Sequence, residues 1–189
     1  MAQKRKDWNG LISGFKASDL VFLDESGCNT DMTRQYAYSL GGSRAVDSAP
    51  LSKPKNTTIL PSIQLDGTLR YTTFSGGTTV ERFKRYLETD LLPHLNGNSV
   101  LIMDNMKSHH ARAVRNLLDS SEVRCIYLPP YSPDLNPIEK LWSKVKSFLR
   151  KFKARTLDAL LNAIQCAFQT VSPSDCSGWF HSCGHSPYF

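Results

Sequence analysis

The sequence predicts an α/β fold, a mixed β-sheet flanked by α-helices, and three observations lead there. Short apolar runs ending in aspartate occur twice, LVFLD at 20–24 and VLIMD at 100–104, a length and composition that suit buried strands. Between them, TTILPSIQLDGTLRYTTF at 57–74 carries two strand-like runs joined at Asp66-Gly67, although Pro61 interrupts the first; such a pair is a strong hairpin signal. Beyond residue 79 the pattern alternates helix with strand. A hairpin-rich start followed by that alternation describes a mixed sheet under helices.

Each element has its own justification. Leu20–Leu23 is an unbroken apolar run. RQYAYSL at 34–40 alternates in the manner of a half-buried strand before Gly41-Gly42-Ser43 turns the chain. A loop containing Pro50 and Pro54 leads to the hairpin, so roughly three antiparallel strands come first. From Thr79 to Leu92, Val80, Phe83, Tyr86, Leu87 and Leu91 recur at near-helical spacing behind a threonine suited to capping. SVLIMD then supplies a second buried strand, 109–118 a helix, and VRCIYL a third strand. The turn-rich PPYSPDLNP leads into a long helix over 137–153 and a last helix over 157–171.

At 189 residues and 40% hydrophobic composition the chain fits one domain with a real core. No run approaches the roughly 18 apolar residues of a membrane span, and the basic start MAQKRKDW precedes no apolar stretch of the secretory kind. These features predict a cytoplasmic protein without a membrane partner. A net charge of +6 favours polyanionic partners. Five cysteines, an odd number without regular spacing, argue for free thiols. Cys176, His181, Cys183 and His185 lie close together, but their spacing does not match paired zinc-finger patterns, and packed or frayed tail residues are the expectation.

Asp24 and Asp104 close two apolar strands, and ligands of open α/β sheets bind beyond the carboxyl ends of the strands. Singly, each aspartate has a local explanation, because its carboxylate bonds nearby backbone N–H groups. Two such strands in a basic chain point to a shared site. Glu139 is the third acid. In SPDLNPIEKLW, Asn136 suits an N-cap and Pro137 a first helical position, which gives Glu139 capping-box spacing. On a helical wheel, Ile138, Leu141, Trp142, Val145, Leu149 and Phe152 form an apolar stripe. Glu139 falls beside its edge, together with Lys146, Arg150 and Lys153. Positions 140–155 hold seven Lys or Arg and no acid, a one-sign run that suits a phosphate track and makes those three cations candidate DNA contacts.

Three carboxylates gathered without a counter-charge raise one another's pKa, so a cation is expected among them. A few hard oxygen donors select Mg²⁺ or Mn²⁺, and two ions about 3.5–4 Å apart serve the attacking and leaving oxygens of a phosphodiester. Asp24, Asp104 and Glu139 are therefore the catalytic and metal-ligating candidates.

VFLDESG, VLIMDN and YLPPYSPDLNPIEKLW together resemble the catalytic domain of DDE transposases of the mariner superfamily, in particular the bacterial insertion-sequence branch called IS-six-thirty. The resemblance runs from Leu20 to the CGH near the C-terminus, and the 34 residues between Asp104 and Glu139 match the separation expected of that branch. It implies a ribonuclease H-like sheet with Asp24, Asp104 and Glu139 as the triad and two Mg²⁺ or Mn²⁺ ions. It also implies cleavage of double-stranded DNA at transposon ends, strand transfer into target DNA, a homodimer in the DNA complex, and association with the bacterial nucleoid. Glu25, Asn105 and His109 match polar positions that accompany the two aspartates in the family. Local capping by Asn105 and surface exposure of His109 and His110 are the alternatives. Relatives carry a helix-turn-helix region ahead of this domain, so 1–19, with Trp8, is expected to be a linker remnant and 20–189 the catalytic domain. The competing expectations are a catalytically incomplete fragment that binds DNA or regulates, and another nuclease of the same architecture, such as a resolvase.

Overall fold

The computed structural model describes residues 2–50, 54 and 56–185. Along the chain run α1 (Ala2–Ile12), β1 (Leu20–Leu23), β2 (Ser26–Cys28), β3 (Thr57–Gln64), β4 (Leu69–Ser75), α2 (Val80–Tyr86) and β5 (Val100–Met103). Then follow α3 (Arg112–Asp119), β6 (Arg124–Tyr127), α4 (Ile138–Phe152), α5 (Leu157–Gln169) and α6 (Pro173–Ser182). The six strands form one sheet. β3 is antiparallel to β1, β2 and β4, whereas β5 is parallel to β1 and β6. In space the order is β4-β3-β1-β5-β6, with β2 continuing the line of β1 along β3.

Successive side chains of a strand point to opposite faces, and here both faces are covered. Leu20, Phe22, Val100, Ile102, Ile59 and Ile63 pack in one layer with residues of α1, α4, α5 and α6. Val21, Leu23, Leu60, Leu101 and Met103 pack in the other, against α2 and α3. This double burial explains why β1 and β5 are apolar without interruption, every residue of both being at most 1% exposed.

The hairpin turns where expected. Gly67 takes a left-handed conformation (φ 90°) and donates to Gln64 O, while Asp66 Oδ1 accepts the Thr68 N–H. Pro61 faces the gap between β1 and β2: Leu23 pairs with Ser62 and Ser26 with Ile59, so 24 and 25 stand opposite 61 and 60. Proline has no N–H to give a ladder, and at this break its carbonyl accepts the Asp24 N–H at 3.4 Å.

Several expectations are corrected. RQYAYSL is not a strand: Tyr36, Tyr38 and Leu40 are 89%, 107% and 94% exposed. β3 already has β1 and β2 on one edge and β4 on the other, so the early strand beside it is the short β2 instead. Much of the expected linker, 2–12, coils into α1 and inserts Trp8 and Ile12, one turn apart, into the core. The helix expected from 109 begins at Arg112. Phe152 is 49% exposed rather than part of the stripe, because α4 ends there and Lys153 leaves it left-handed (φ 54°). The tail forms α6, whose Ser172 and Asp175 make a full capping box ahead of buried Cys176 and Phe180. His185 Nε2 meets Leu135 O at 2.9 Å, and its ring packs on Phe22 and Trp8. Residues 51–53 and 55 of the proline-containing loop, and 186–189 of the expected domain, lie outside the described residues.

Candidate active site

Side-chain alternation delivers the two aspartates to one place. Asp24 follows Leu20 and Phe22, and Asp104 follows Val100 and Ile102, onto the face that α4 covers; because β1 and β5 are parallel neighbours, their ends lie side by side. Glu139, in the first turn of α4, completes a pocket of about 420 Å³ that all three acids line with Asn105, Asn136 and residues 128–133. Asn136 Oδ1 accepts the Ile138 N–H at 3.3 Å, so the helix start has a cap apart from Glu139, which stands exposed on the pocket wall.

The two aspartates differ in charge environment. Burial pushes Asp24 up to about 7; the Glu25 N–H works against this, while Asp104, Glu139 and Glu25 add repulsion. Burial also opposes the charge on Asp104, but His109 and the Met106 N–H hold its carboxyl below the usual carboxylate range. His109 Nδ1 lies 2.9 Å from Asp104 Oδ1, and Nε2 lies 3.2 Å from Glu25 Oε2. Burial would lower this imidazole, yet the two carboxylates raise it to about 9, so it carries its proton at neutral pH and donates from both nitrogens.

The companion residues therefore fall in definite positions. His109 is 0% exposed and stacks on Phe83 at 4.2 Å, which removes the surface alternative for it; His110 stacks on Tyr127. Asn105 does not cap α3, whose N-cap is Ala111; its Nδ2 donates to Leu128 O and ties the ends of β5 and β6 together. Lys146 and Arg150 are half-buried on α4, and Lys146 Nζ sits 5.9 Å from the Trp142 ring. Lys153 is ion-paired with Asp47. One polar contact escapes the sequence pattern: Trp142, an apolar stripe residue, donates its indole N–H to Asp24 Oδ2 at 3.4 Å. The available signal was that tryptophan carries a polar handle that seeks a partner when buried.

Among the described residues, no group of three His, Cys, Asp or Glu side chains is drawn tightly enough around one point to hold an ion as it stands. Asp104 is turned toward His109 and Met106, and Asp24 toward Trp142 and Glu25. The donor set nonetheless fits a hard divalent cation: three carboxylates line one pocket, and the upward pressure on Asp24 is relieved by positive charge placed there.

A sheet with an antiparallel hairpin on one side of β1 and parallel β5 and β6 on the other, and with acids at the ends of β1 and β5, defines a ribonuclease H-like domain with an acidic site. Residues 19–161 match the profile of the DDE superfamily endonuclease family, and the chain belongs to that family. It is 29% identical over 97 residues to the transposable element Tc1 transposase of Caenorhabditis elegans, covering 49% of this chain and 36% of that protein. It is 33% identical over 75 residues to the insertion element IS630 uncharacterized 39 kDa protein of Shigella sonnei, covering 39% of this chain and 22% of that one. The matched segments are thus well under half of these relatives' lengths.

In three dimensions the chain resembles the catalytic domain of Mos1 mariner transposase (TM-score 0.73, 18% identity, 96% of this chain and 86% of that one). It also resembles the Mos1 paired-end complex with left transposon end (0.79, 20%, 95% and 57%). The mariner paired-end complex with Mn aligns likewise (0.76, 20%, 95% and 57%), as does the one with Mg (0.72, 18%, 96% and 58%). At these identities the likeness establishes the fold. Among the described residues no helix is long and apolar enough to cross a membrane.

Proposed function

We propose that this chain is the catalytic domain of a DNA transposase, with 20–189 as its body and α1 of the 1–19 segment packed into the same core, which cleaves double-stranded DNA at transposon ends and joins the freed 3′-hydroxyl to target DNA. The observation that carries this reading is the single pocket lined by Asp24, Asp104 and Glu139 at the carboxyl ends of two parallel strands. Family membership and the likeness to transposase complexes with transposon ends support it.

Asp24, Asp104 and Glu139 would hold two Mg²⁺ or Mn²⁺ ions, in keeping with the metals of the related Mos1 complexes. Such ions, when bound, supply charge neutralisation at the phosphodiester and activation of the attacking oxygen. The chain's own residues do the rest. His109 fixes Asp104, Glu25 fixes His109, and Asn105 steadies the backbone between them. Lys146 and Arg150 offer positive charge along α4 for backbone phosphates, and Lys153 joins them when it exchanges Asp47 for phosphate. The working form is a homodimer on DNA, associated with the nucleoid.

Nicking of supercoiled plasmid in Mg²⁺ tests the proposal. Asp24→Asn, Asp104→Asn and Glu139→Gln should each lower the rate by roughly three orders of magnitude while leaving the circular dichroism spectrum intact. Wild-type rates in all three variants would refute it. Salt-sensitive DNA binding without metal-dependent cleavage by the unmodified protein would point to the regulatory fragment instead.

A further inference from the structure

Trp142 does more than an apolar stripe requires. It sits three residues, nearly one turn, beyond Glu139 on α4, is 4% exposed, and gives its indole N–H to Asp24 Oδ2. The other oxygen, Oδ1, accepts the Glu25 N–H at 2.8 Å. Each oxygen of an ionised carboxylate can accept about two hydrogen bonds, so one acceptor direction on each is taken and the carboxylate plane is set by two donors. One donor belongs to the break between β1 and β2, the other to the helix that carries Glu139. The ring is itself pinned, with Lys146 over it and the buried stripe of α4 around it. A phenylalanine would keep most of the aromatic packing, at the cost of a small void, and leave Asp24 with its backbone donor alone.

We propose that Trp142 is a positioning residue for Asp24: its indole N–H fixes the rotation of that carboxylate and ties the strand-borne acid to the helix bearing Glu139. One aromatic side chain thereby sets how two of the three acids stand relative to each other before a divalent cation arrives. The tie lowers the reorganisation needed to bind the ion, in the way that outer-shell hydrogen bonds orient metal ligands generally. The cation clause rests on the functional reading above; the tie between Trp142 and Asp24 does not.

The experiment follows the indole N–H resonances of ¹⁵N-labelled protein, which has three tryptophans, Trp8, Trp142 and Trp179, assigned by substituting each in turn. Without metal, Asp24→Asn should displace the Trp142 resonance and leave the other two in place. Substoichiometric Mn²⁺ should broaden the Trp142 signal first in the unmodified protein. Trp142→Phe should raise the Mg²⁺ concentration for half-maximal nicking about 10-fold, with much of the rate recovered at saturating Mg²⁺. An unmoved Trp142 resonance in Asp24→Asn would overturn the proposal, as would a Mg²⁺ dependence of Trp142→Phe equal to that of the unmodified protein. If Trp142→Phe does not fold, the Asp24→Asn spectrum decides alone. If Asp24→Asn nicks DNA normally, the transposase reading falls, while a displaced indole resonance still upholds the tie.

Discussion

Asp24 and Asp104 occupy equivalent places, one residue beyond neighbouring parallel strands on the same face of the sheet, yet their surroundings pull them in opposite directions. Asp24 is pushed up to about 7 by burial and by the other acids, whereas Asp104 is held below its ordinary range by a protonated imidazole and a backbone N–H. Topology brings the carboxylates together; deeper burial of the first and a charged donor beside the second decide which of them is charged. The pair is thus asymmetric before any ligand enters: Asp104 is a standing anion, and Asp24 is poised to release its proton when positive charge arrives.

The comparison breaks most severely on the Asp104 side. His109→Ala strips the charged donor from Asp104, which keeps only the Met106 N–H, and leaves Glu25 a nearly buried carboxylate with its Oε1 already unpartnered, so unfolding free energy should fall by about 3–5 kcal/mol. Denaturant titration measures it, and a loss under about 1 kcal/mol would show that the imidazole is dispensable. On the Asp24 side the sign reverses. Without metal at pH 8, Asp24→Asn removes a charge the fold disfavours and should stabilise by about 1–3 kcal/mol, one pKa unit being about 1.4 kcal/mol.

The pH profile sharpens the contrast. A raised carboxyl contributes stability in full below its unfolded value and loses it as pH rises through the folded value, so Asp24 should erode metal-free stability between 3.8 and about 7. His109, raised from 6.5 to about 9, contributes in full below the first value and loses its share as pH climbs through the second. Asp24→Asn should flatten the first slope and His109→Ala the second; a slope unchanged by its own substitution would remove the corresponding assignment. The smallest effect lies outside the pair. Ser172→Ala, which breaks the capping box of α6, should cost about 1 kcal/mol and leave both slopes alone.

The parts of the site legible in the sequence were those written in local patterns. Uninterrupted apolar runs betrayed the strands that end at Asp24 and Asp104, and a 3.6-residue period put Glu139 at the edge of a packed helix. What escaped depends on contacts between distant positions. His109 meets Glu25 across 84 residues, and no window of sequence shows that this histidine will be buried. Trp142 was visible as hydrophobic bulk but not as a hydrogen-bond donor. α1 escaped because only Trp8 and Ile12 mark its buried side. The strand expected at 34–40 failed for the complementary reason: alternation signals a strand only where a partner edge waits for it. α6 was different, since Ser172, Pro173 and Asp175 spell a helix start that the Gly- and Ser-rich ending obscured.

Adjacent in the chain, Asp24 and Glu25 serve opposite layers, one turned to Trp142 and the other to His109, and they do so because strand parity persists across the two-residue interruption beside Pro61. Inserting a single amino acid between Leu23 and Asp24 would exchange their destinations, sending the longer acid toward the helix and the shorter one away from the pocket. Length variation of the kind exposed loops tolerate would therefore dismantle the acidic pocket at this interruption, where one added residue moves two carboxylates at once.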